Sequence, residues 1–418
     1  MQKVIGILSG GGSLPCEIAQ SISSAGNQVV IIAIEGEANP EDFMNFNVTF
    51  VKWGEVGRII RIFRQNKVKD IVIIGSVKRP NLKNFRTDFG FYKNLFFLFN
   101  LIRAGGDDGV LRLVIKLIEK KGFRVLGPKD VAPELIISDG PLGKRNVPDI
   151  LEADIQYGFN LLEQLAPFDI GQSIVIQRGK VLAIEAAEGT DRMLDRVASN
   201  FPRKDQIGVL IKRSKPGQEL RIDMPTIGPL TIEKAANAGL GGIVVQSGVT
   251  LAAQKKYLIN IADEKNIFVT GISPFQYSDS YKVPSLHQKN DFDLALNVLR
   301  ILATLDHSCG VVSIRRHIIA IETGEGLSNL LQRTSQLRQW GAWHYRRRGT
   351  LAVTENSGLT FDHIRSVASL GFSTIVLLTR DQYRVSQHVE LQNFANSLGL
   401  DFKLEVSLKP KVRNDCAA

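Results

Sequence analysis

Apolar and polar positions near the start of the chain alternate in the order of an α/β domain. Residues 4–34 have the pattern strand, glycine turn, helix, strand, with Pro15 in the first helical turn and Gly26 at the helix end. Further helices and strands are predicted at 55–66, 70–77, 108–121 and 123–128. Strands separated by helices indicate a parallel sheet with helices on both faces. We predict a Rossmann-like substrate-binding domain over residues 1–135.

A second α/β pattern begins after a connecting stretch that ends near residue 149. A helix over 150–165 precedes two strand-like segments that turn at Gly179, as in a β-hairpin. Residues 221–229 are also strand-like and break at Pro225, before another helix and strand. We predict a second α/β domain over residues 145–276.

The pattern of this second domain restarts after a polar, aperiodic linker. Four acidic pairs recur at one constant spacing: Asp154 and Asp291, Asp169 and Asp306, Glu185 and Glu322, Glu188 and Glu325. A slightly shorter spacing relates Gly239 to Gly371, so one short deletion accounts for both spacings. An ordered series of this length indicates internal duplication. We predict a degenerate repeat of the second domain over residues 290–408.

Composition narrows the class of protein. The 418 residues are 44% hydrophobic and carry a net charge of +10, which suits an anionic partner or serves only solubility. We expect no nucleic-acid partner, because no helix-turn-helix, RNP or OB pattern is present. The start lacks the pattern of a signal peptide and no apolar run is long enough to span a bilayer, so we expect a cytoplasmic protein.

Cysteine and histidine usage removes several kinds of chemistry. The three cysteines are far apart, which argues against a disulfide framework or a zinc site. The six histidines are confined to the last third of the chain, at positions 287, 307, 317, 344, 363 and 388. Chemistry in the first two domains must therefore use carboxylates, lysine, serine, the backbone or a metal held by oxygen.

The glycine turn at residues 9–15 is the first candidate ligand site. Its backbone N–H groups can approach a phosphate at a helix N-terminus, as in nucleotide-binding folds. Pro15 occupies the place of the third glycine in a dinucleotide fingerprint, although Glu35 could imitate the ribose-binding acid. A phosphorylated ligand, NAD or FAD, and a purely structural turn remain open. The strand end at 74–80 is a second candidate, with an ordinary basic turn as its alternative.

Carboxylates supply the candidates for chemistry in the second domain. Asp223 lies where a strand breaks at Pro225, which holds the acid at a turn. It could activate water or bind Mg²⁺ beside a phosphate, and turn capping is the alternative. A second cluster of charges, which includes Asp191 and Arg196, marks the start of a helix and could serve only as its caps and surface pairs.

With these motifs, the first 280 residues resemble the LpxI family of UDP-2,3-diacylglucosamine pyrophosphatases. The matching stretches are SGGGSLP, IGSVKRP, GGDDGVLR, PLGK, FDIGQSIVIQRGKVLAIEAAEGTDRML and RIDMPTIGPLTIEKAANAGLGGIVV. The resemblance implies Mg²⁺-dependent hydrolysis of UDP-2,3-diacylglucosamine to UMP and 2,3-diacylglucosamine 1-phosphate (lipid X) in lipid A biosynthesis, by water attack on the α-phosphorus. It also makes residues 145–276 the catalytic domain and implies that the ligand is bound between the first two domains.

The resemblance also assigns residues. The essential aspartate of the family falls on Asp223, and no metal ligand set is assigned. Substrate contacts fall on or near seven positions: Ser13, Ser76, Val77, Val125, Ser173, Asp191 and Arg196. Arg196 and backbone donors would balance the charge of the pyrophosphate. The apolar stretch 91–102 could touch the inner-membrane surface, which would make the enzyme peripheral to that membrane; core packing is the alternative.

The repeat departs from the family, whose pattern ends near residue 280. In the repeat, Ser328 replaces Asp191 and Glu355 replaces Asp223, although Arg333 remains at the place of Arg196. We therefore expect the repeat to be scaffold without chemistry of its own. The extra domain keeps a second hypothesis open, a non-catalytic or regulatory nucleotide-binding protein, and a dehydrogenase is more distant. A homodimer is also left open.

Overall fold

The computed structural model describes most of the chain. The described residues are 2–52, 54–77, 107–201, 208–273, 290–305, 307–337, 348–379 and 388–406. The apolar stretch 91–102, for which membrane contact is predicted, lies outside these residues. Within them, no helix is long and apolar enough to cross a membrane.

The N-terminal residues form a parallel sheet with helices, as the sequence predicts. The strands are β1 (Val4–Ser9), β2 (Gln28–Ile34), β3 (Val48–Val51), β4 (Asp70–Ile74) and β5 (Arg124–Leu126), and the helices are α1 (Leu14–Ser24), α2 (Val56–Gln65), α3 (Asp107–Lys120) and α4 (Pro128–Val131). The strand order is β3-β2-β1-β4-β5, and each neighbouring pair is parallel. The α/β class is therefore confirmed.

Both faces of this sheet are buried. Successive side chains of a strand point to opposite faces, and β2 shows the consequence. Ile31 belongs to the core that packs α1, whereas its neighbour Ile32 belongs to the core around Phe63 of α2. Strands buried on both faces explain the continuous apolar runs of the sequence.

The next part of the chain alternates strands and helices in smaller groups. Its strands are β6 (Gly140–Pro141), β7 (Ser173–Gln177), β8 (Lys180–Ile184), β9 (Gly208–Lys212), β10 (Thr226–Ile227), β11 (Leu240–Gln246), β12 (Leu251–Ala252) and β13 (Phe268–Ile272), and its helices are α5 (Glu152–Leu165), α6 (Thr190–Asn200), α7 (Pro229–Asn237) and α8 (Lys255–Glu264). The predicted hairpin is confirmed: β7 and β8 are antiparallel, and Arg178 and Gly179 turn with positive φ.

The strand-like expectation for residues 221–229 is wrong except at Thr226 and Ile227, which pair with β12. Before them the backbone turns tightly instead of extending. The amides of Ile222 and Asp223 both donate to the carbonyl of Glu219 at 3.0 Å. These local hydrogen bonds replace those of a sheet ladder.

The last part of the chain forms a mixed sheet with helices. Its strands are β14 (Gly310–Ile314), β15 (His317–Glu322), β16 (Thr350–Thr354), β17 (Thr374–Thr379) and β18 (Asp401–Val406), and its helices are α9 (Asp291–Leu302), α10 (Leu327–Leu337), α11 (Phe361–Ser369) and α12 (Val389–Ser397). The strand order is β15-β14-β16-β17-β18. β14 is antiparallel to both neighbours, whereas β16, β17 and β18 are parallel.

Contacts group the chain into two compact units, and each unit combines segments that are separated in the sequence. Unit 1 comprises Met1–Asn146, Gly217–Glu233 and Val245–Ser273, and unit 2 comprises Val147–Pro216, Lys234–Val244 and Pro274–Ala418. The physical reason is that Leu220, Met224 and Leu251 pack in the apolar core of the N-terminal sheet. The domain boundaries predicted from the sequence follow the linear order, and they stay predictions.

Candidate active site

The glycine turn lies at the point where the N-terminal sheet reverses its order. β1 is followed by β2 and β3 on one side, and β4 pairs with its other edge. Open α/β sheets bind ligands at the carboxyl ends of the two strands that flank such a point. Here those ends are Ser9 and Ile74, and Gly10 N donates to the carbonyl of Ile74 at 2.9 Å. The two motifs singled out in the sequence therefore share one edge.

Backbone packs directly on backbone at this edge, which explains the glycines. Gly11 N donates to the carbonyl of Ser76 at 2.8 Å, and Ser76 N donates back to that of Gly11 at 2.9 Å. A Cβ on Gly10 would lie 2.4 Å from the carbonyl oxygen of Ser76, and one on Gly75 would lie 2.8 Å from that of Gly11. Side chains at these positions would force the two segments apart.

The predicted contacts of unit 1 fall into two groups. Ser13 precedes α1 and its carbonyl accepts from the amides of Cys16 and Glu17 at 3.1 Å, so it follows directly on the turn. Ser76 and Val77 are exposed at the same edge, with Val77 47% exposed. Val125 differs, since it is buried in β5 and pairs with Ile71 of β4. The substrate roles of these residues stay predictions.

Asp223 belongs to the same unit as the glycine turn and is held from several sides. Gln218, itself buried, donates its side-chain amide to Oδ2 of Asp223 at 2.6 Å. Leu220 and Met224 on either side of it pack in the core of the N-terminal sheet, and the carbonyl of the buried Pro225 accepts from the amide of Leu251 at 2.8 Å. Asp223 itself is partly exposed. A carboxylate fixed in this way can act on a bound molecule without first being ordered.

The charges next to Asp223 are already compensated. Arg221 donates to Glu219 at 2.8 Å and to Glu119 at 2.9 Å. The hydrogen bond from Arg221 lowers the pKa of Glu219, and Glu219 in turn raises the pKa of Arg221. This ion pair holds the segment in place, and beside it Oδ2 of Asp223 accepts a hydrogen bond from the neutral amide of Gln218.

The residues offer only a partial site for Mg²⁺. Among the described residues, no three His, Cys, Asp or Glu side chains come together as a ligand set. Mg²⁺ is usually bound by one or two carboxylates, with water and substrate phosphates completing its octahedron. Asp223 fits one ligand of a cation bound in that way, and not an all-protein site.

Ser173 and Asp191 lie in unit 2, close together in the fold. Ser173 is fully buried at the start of β7, and its hydroxyl is 3.1 Å from that of Thr190. Thr190 donates to Glu185 at 3.0 Å and accepts from the ammonium of the buried Lys212 at 2.9 Å. Asp191 follows Thr190 in the first turn of α6. The cluster places Ser173 beside the helix start that carries Asp191, and their substrate roles stay predictions.

Arg196 has protein partners that sequence reasoning missed. It is 8% exposed, and its guanidinium donates to the carbonyl of Ile184 at 3.2 Å and to the carboxylate of Glu188 at 2.5 Å. The carboxylate of Glu188 therefore already balances the positive charge of Arg196, which we predicted would balance the charge of a pyrophosphate. The prediction of a substrate contact is untested, and the geometry favours a structural role. The recurrence of the Glu–Arg spacing at Glu325 and Arg333 was the available signal.

Comparisons with known proteins agree with these features. The family model of the LpxI N-terminal domain matches residues 4–135, and that of the LpxI C-terminal domain matches residues 138–270. UDP-2,3-diacylglucosamine pyrophosphatase LpxI of Caulobacter vibrioides is 37% identical over 280 residues, which cover 98% of that protein and 65% of this chain. The chain belongs to the LpxI family. Residues 290–406 lie outside both matched ranges, so the family accounts for the glycine turn and Asp223 but not for the last sheet.

Proposed function

We propose that this protein hydrolyses UDP-2,3-diacylglucosamine to UMP and 2,3-diacylglucosamine 1-phosphate, in lipid A biosynthesis. Water attacks the α-phosphorus, and the bond from that phosphorus to the bridging oxygen breaks. The bridging oxygen leaves with the sugar phosphate, and a proton is released. The similarity to the Caulobacter enzyme supports the substrate, since it extends over 98% of that protein.

The position of Asp223 is the observation that carries the proposal. It lies between Leu220 and Met224, which anchor it to the sheet whose edge carries the glycine turn. Because the described residues of the first two domains contain no histidine, a carboxylate is the natural group to orient the attacking water or to hold Mg²⁺. When bound, Mg²⁺ would neutralise charge on the pyrophosphate.

The edge made by the glycine turn and Ser76 supplies the anion-binding part of the proposal. Backbone N–H groups at a helix start favour negative charge, and α1 begins directly after Ser13. An acylated substrate would present its phosphates to this edge from the inner-membrane surface. We propose a cytoplasmic enzyme in transient contact with that membrane.

The decisive experiment is hydrolysis of UDP-2,3-diacylglucosamine in ¹⁸O-labelled water, with Mg²⁺ or with EDTA. We expect Mg²⁺-dependent release of UMP, with the label in UMP because its phosphorus is attacked. Label in the sugar phosphate instead would contradict attack at the α-phosphorus. UMP binding without any turnover would favour the second hypothesis, a non-catalytic nucleotide-binding protein.

A further inference from the structure

The last sheet of the chain and the sheet of the second domain share four strands in the same order. The order is β8-β7-β9-β11 in the sheet of the second domain and β15-β14-β16-β17 in the last sheet. Both hairpins carry an irregularity at the same step, between Val175 and Ile176 in one and between Val312 and Ser313 in the other. A β-bulge at the same place in two hairpins is a specific feature, not a general property of sheets.

The turns of the two hairpins are held by the same kind of contact. Asp154 of α5 accepts from the amide of Gly179 at 2.7 Å, and Asp291 of α9 accepts from the amide of Arg316 at 2.5 Å. Gly179 and Arg316 both have positive φ. The carboxylate–turn contact recurs even where the glycine has been replaced, which supports descent of both sheets from one domain.

An arginine follows the hairpin in each segment and uses equivalent partners. Arg196 donates to the carbonyl of Ile184 at 3.2 Å, and Arg333 donates to that of Ile321 at 3.0 Å. Each also donates to the glutamate eight positions before it, Arg196 to Glu188 and Arg333 to Glu325. The two segments therefore present the same pair of charges.

These two pairs meet each other. Arg333 donates to Glu188 as well as to Glu325, and a nitrogen of Arg196 is 3.6 Å from Glu325. The two glutamate side chains are 2% and 1% exposed and the two arginines 6% and 15%. Residue i of one segment thus contacts residue j of the other while j contacts i, which is the pattern of an isologous, two-fold interface.

The surrounding contacts also join equivalent elements. Helix α5 packs against α9, and β8 lies near β15. At the edge, the amide of Ala187 donates to the carbonyl of Ile319 at 3.3 Å, and Asn329 donates to Asn200 at 3.1 Å. The charge cluster therefore lies within a face that the two segments share.

We propose that residues 290–406 are a second copy of the 150–246 fold and act as its built-in partner. The occupant of this face is the chain's own repeat, recognised by a self-complementary set of one arginine and one glutamate from each side. The face is closed within one chain, and the intact protein is a monomer. The inference concerns assembly and is independent of the proposed function.

A cleavable full-length chain tests the proposal. A protease site placed in the sequence 274–289 allows the folded protein to be cut between the copies. Light scattering should give about 46.2 kDa for the intact chain and the same mass after cutting, because the two pieces stay together. Separation of the pieces at micromolar concentration would overturn the proposal. A stable dimer of the intact chain would also overturn it, since another subunit would then occupy the face.

Charge variants of the same cut protein test the cluster itself. Glu188→Gln and Arg333→Met should each raise the Kd between the two pieces at least tenfold, because each leaves a buried charge without its partner. The loss of binding free energy in the double variant should be smaller than the sum of the two single losses, because the effects of mutations at residues in contact are not additive. Asp362→Asn is the matched control, since Asp362 pairs with Arg365 at an exposed site. Equal retention of the pieces in all variants would exclude the cluster as the interface.

Discussion

Arg333 donates to the carboxylate of Glu188, a residue 145 positions earlier in the chain. Glu188 also accepts from Arg196, so one buried carboxylate binds two arginines that are far apart in the sequence. Two buried charges of each sign offset one another here, whereas removal of one member leaves the rest uncompensated. We therefore expect the cluster to contribute to the stability of the fold, and Arg196 to contribute little to substrate binding.

Arg196→Met should lower the stability of the protein more than it weakens ligand binding. Loss of one partner from a buried ion pair costs about 3–5 kcal/mol, which corresponds to a fall in Tm of about 3–6 °C for a chain of this size. The measurement is thermal unfolding with and without UMP. We expect a lower Tm but the same upward shift when UMP is added.

Arg365→Met is the control for this prediction. Arg365 pairs with Asp362 at an exposed site, where an ion pair contributes at most about 1 kcal/mol, so its loss should leave Tm nearly unchanged. An Arg196 variant with unchanged Tm and no UMP shift would return Arg196 to the substrate site.

Glu322→Gln should stabilise the protein at neutral pH and not in acid. Burial raises the pKa of Glu322 above its ordinary value of 4.5, so the folded protein binds this proton more tightly than the unfolded chain. Stability from that proton is complete below pH 4.5 and is lost as the pH rises through the raised pKa. Glutamine keeps an oxygen for the amides of Gly324 and Gly326, which now donate at 2.5 and 3.1 Å.

The measurement is urea unfolding of the wild type and the variant at several pH values between 4.5 and 8. The free energy of unfolding of Glu322→Gln should exceed that of the wild type by an amount that grows as the pH increases and levels off above the folded pKa of Glu322. Glu390→Gln, an exposed change of the same kind in α12, should show no such trend. An advantage that is constant across this range would contradict the raised pKa.

Local chemistry made several parts of the molecule predictable from the sequence. The hairpin turn at Gly179 and the glycine turn after β1 need backbone conformations or close approaches that few residues permit. The repeat that we propose for residues 290–406 depends on the same kind of local signal, because the hairpin turn and its acidic partner recur together. The α/β class followed from the spacing of the apolar runs.

Long-range packing was not predictable in this way. The segment with Asp223 looked strand-like, but Leu220 and Met224 pack in the core of another part of the chain. Their apolar character was visible, whereas the surface that receives them is defined only in three dimensions. The charged partners of Arg196 could not be predicted for the same reason, since Glu325 comes from a distant part of the sequence.

Asp223→Asn should reduce kcat by about 10²- to 10⁴-fold and leave the fold intact, because it removes a charge that acts at the reacting phosphorus. The amide can keep its contact with Gln218, so Tm should change little. UMP release measures the loss, and calorimetry of Mg²⁺ binding in the presence of UMP distinguishes a metal ligand from a group that orients water.

Asp42→Asn, which removes a charge at an exposed position in the same unit, is the matched control and should keep full activity. If the Asp223 variant folds and retains more than about a tenth of the wild-type rate, the assignment of Asp223 is wrong.

The proposed repeat has a shorter connection at the place where the second domain carries Asp223. Between β9 and α7 the chain runs through residues 213–228, whereas only residues 355–360 separate β16 from α11. Glu355, the counterpart of Asp223 in the sequence comparison, accepts from the hydroxyl of Thr379 at 3.0 Å and lies 3.4 Å from the imidazole of His388. These partners connect the ends of β16 and β17 to the start of α12, which is a structural task.

Glu355→Gln should therefore leave UMP release unchanged, because hydrolysis depends on the single segment around Asp223. Glutamine retains an oxygen for Thr379, so the fold should survive with a small change in Tm. Steady-state rates of this variant and of Asp223→Asn, measured side by side, decide whether the two copies differ. A folded Glu355→Gln protein that loses most of its turnover would mean that residues 290–406 have kept chemistry of their own.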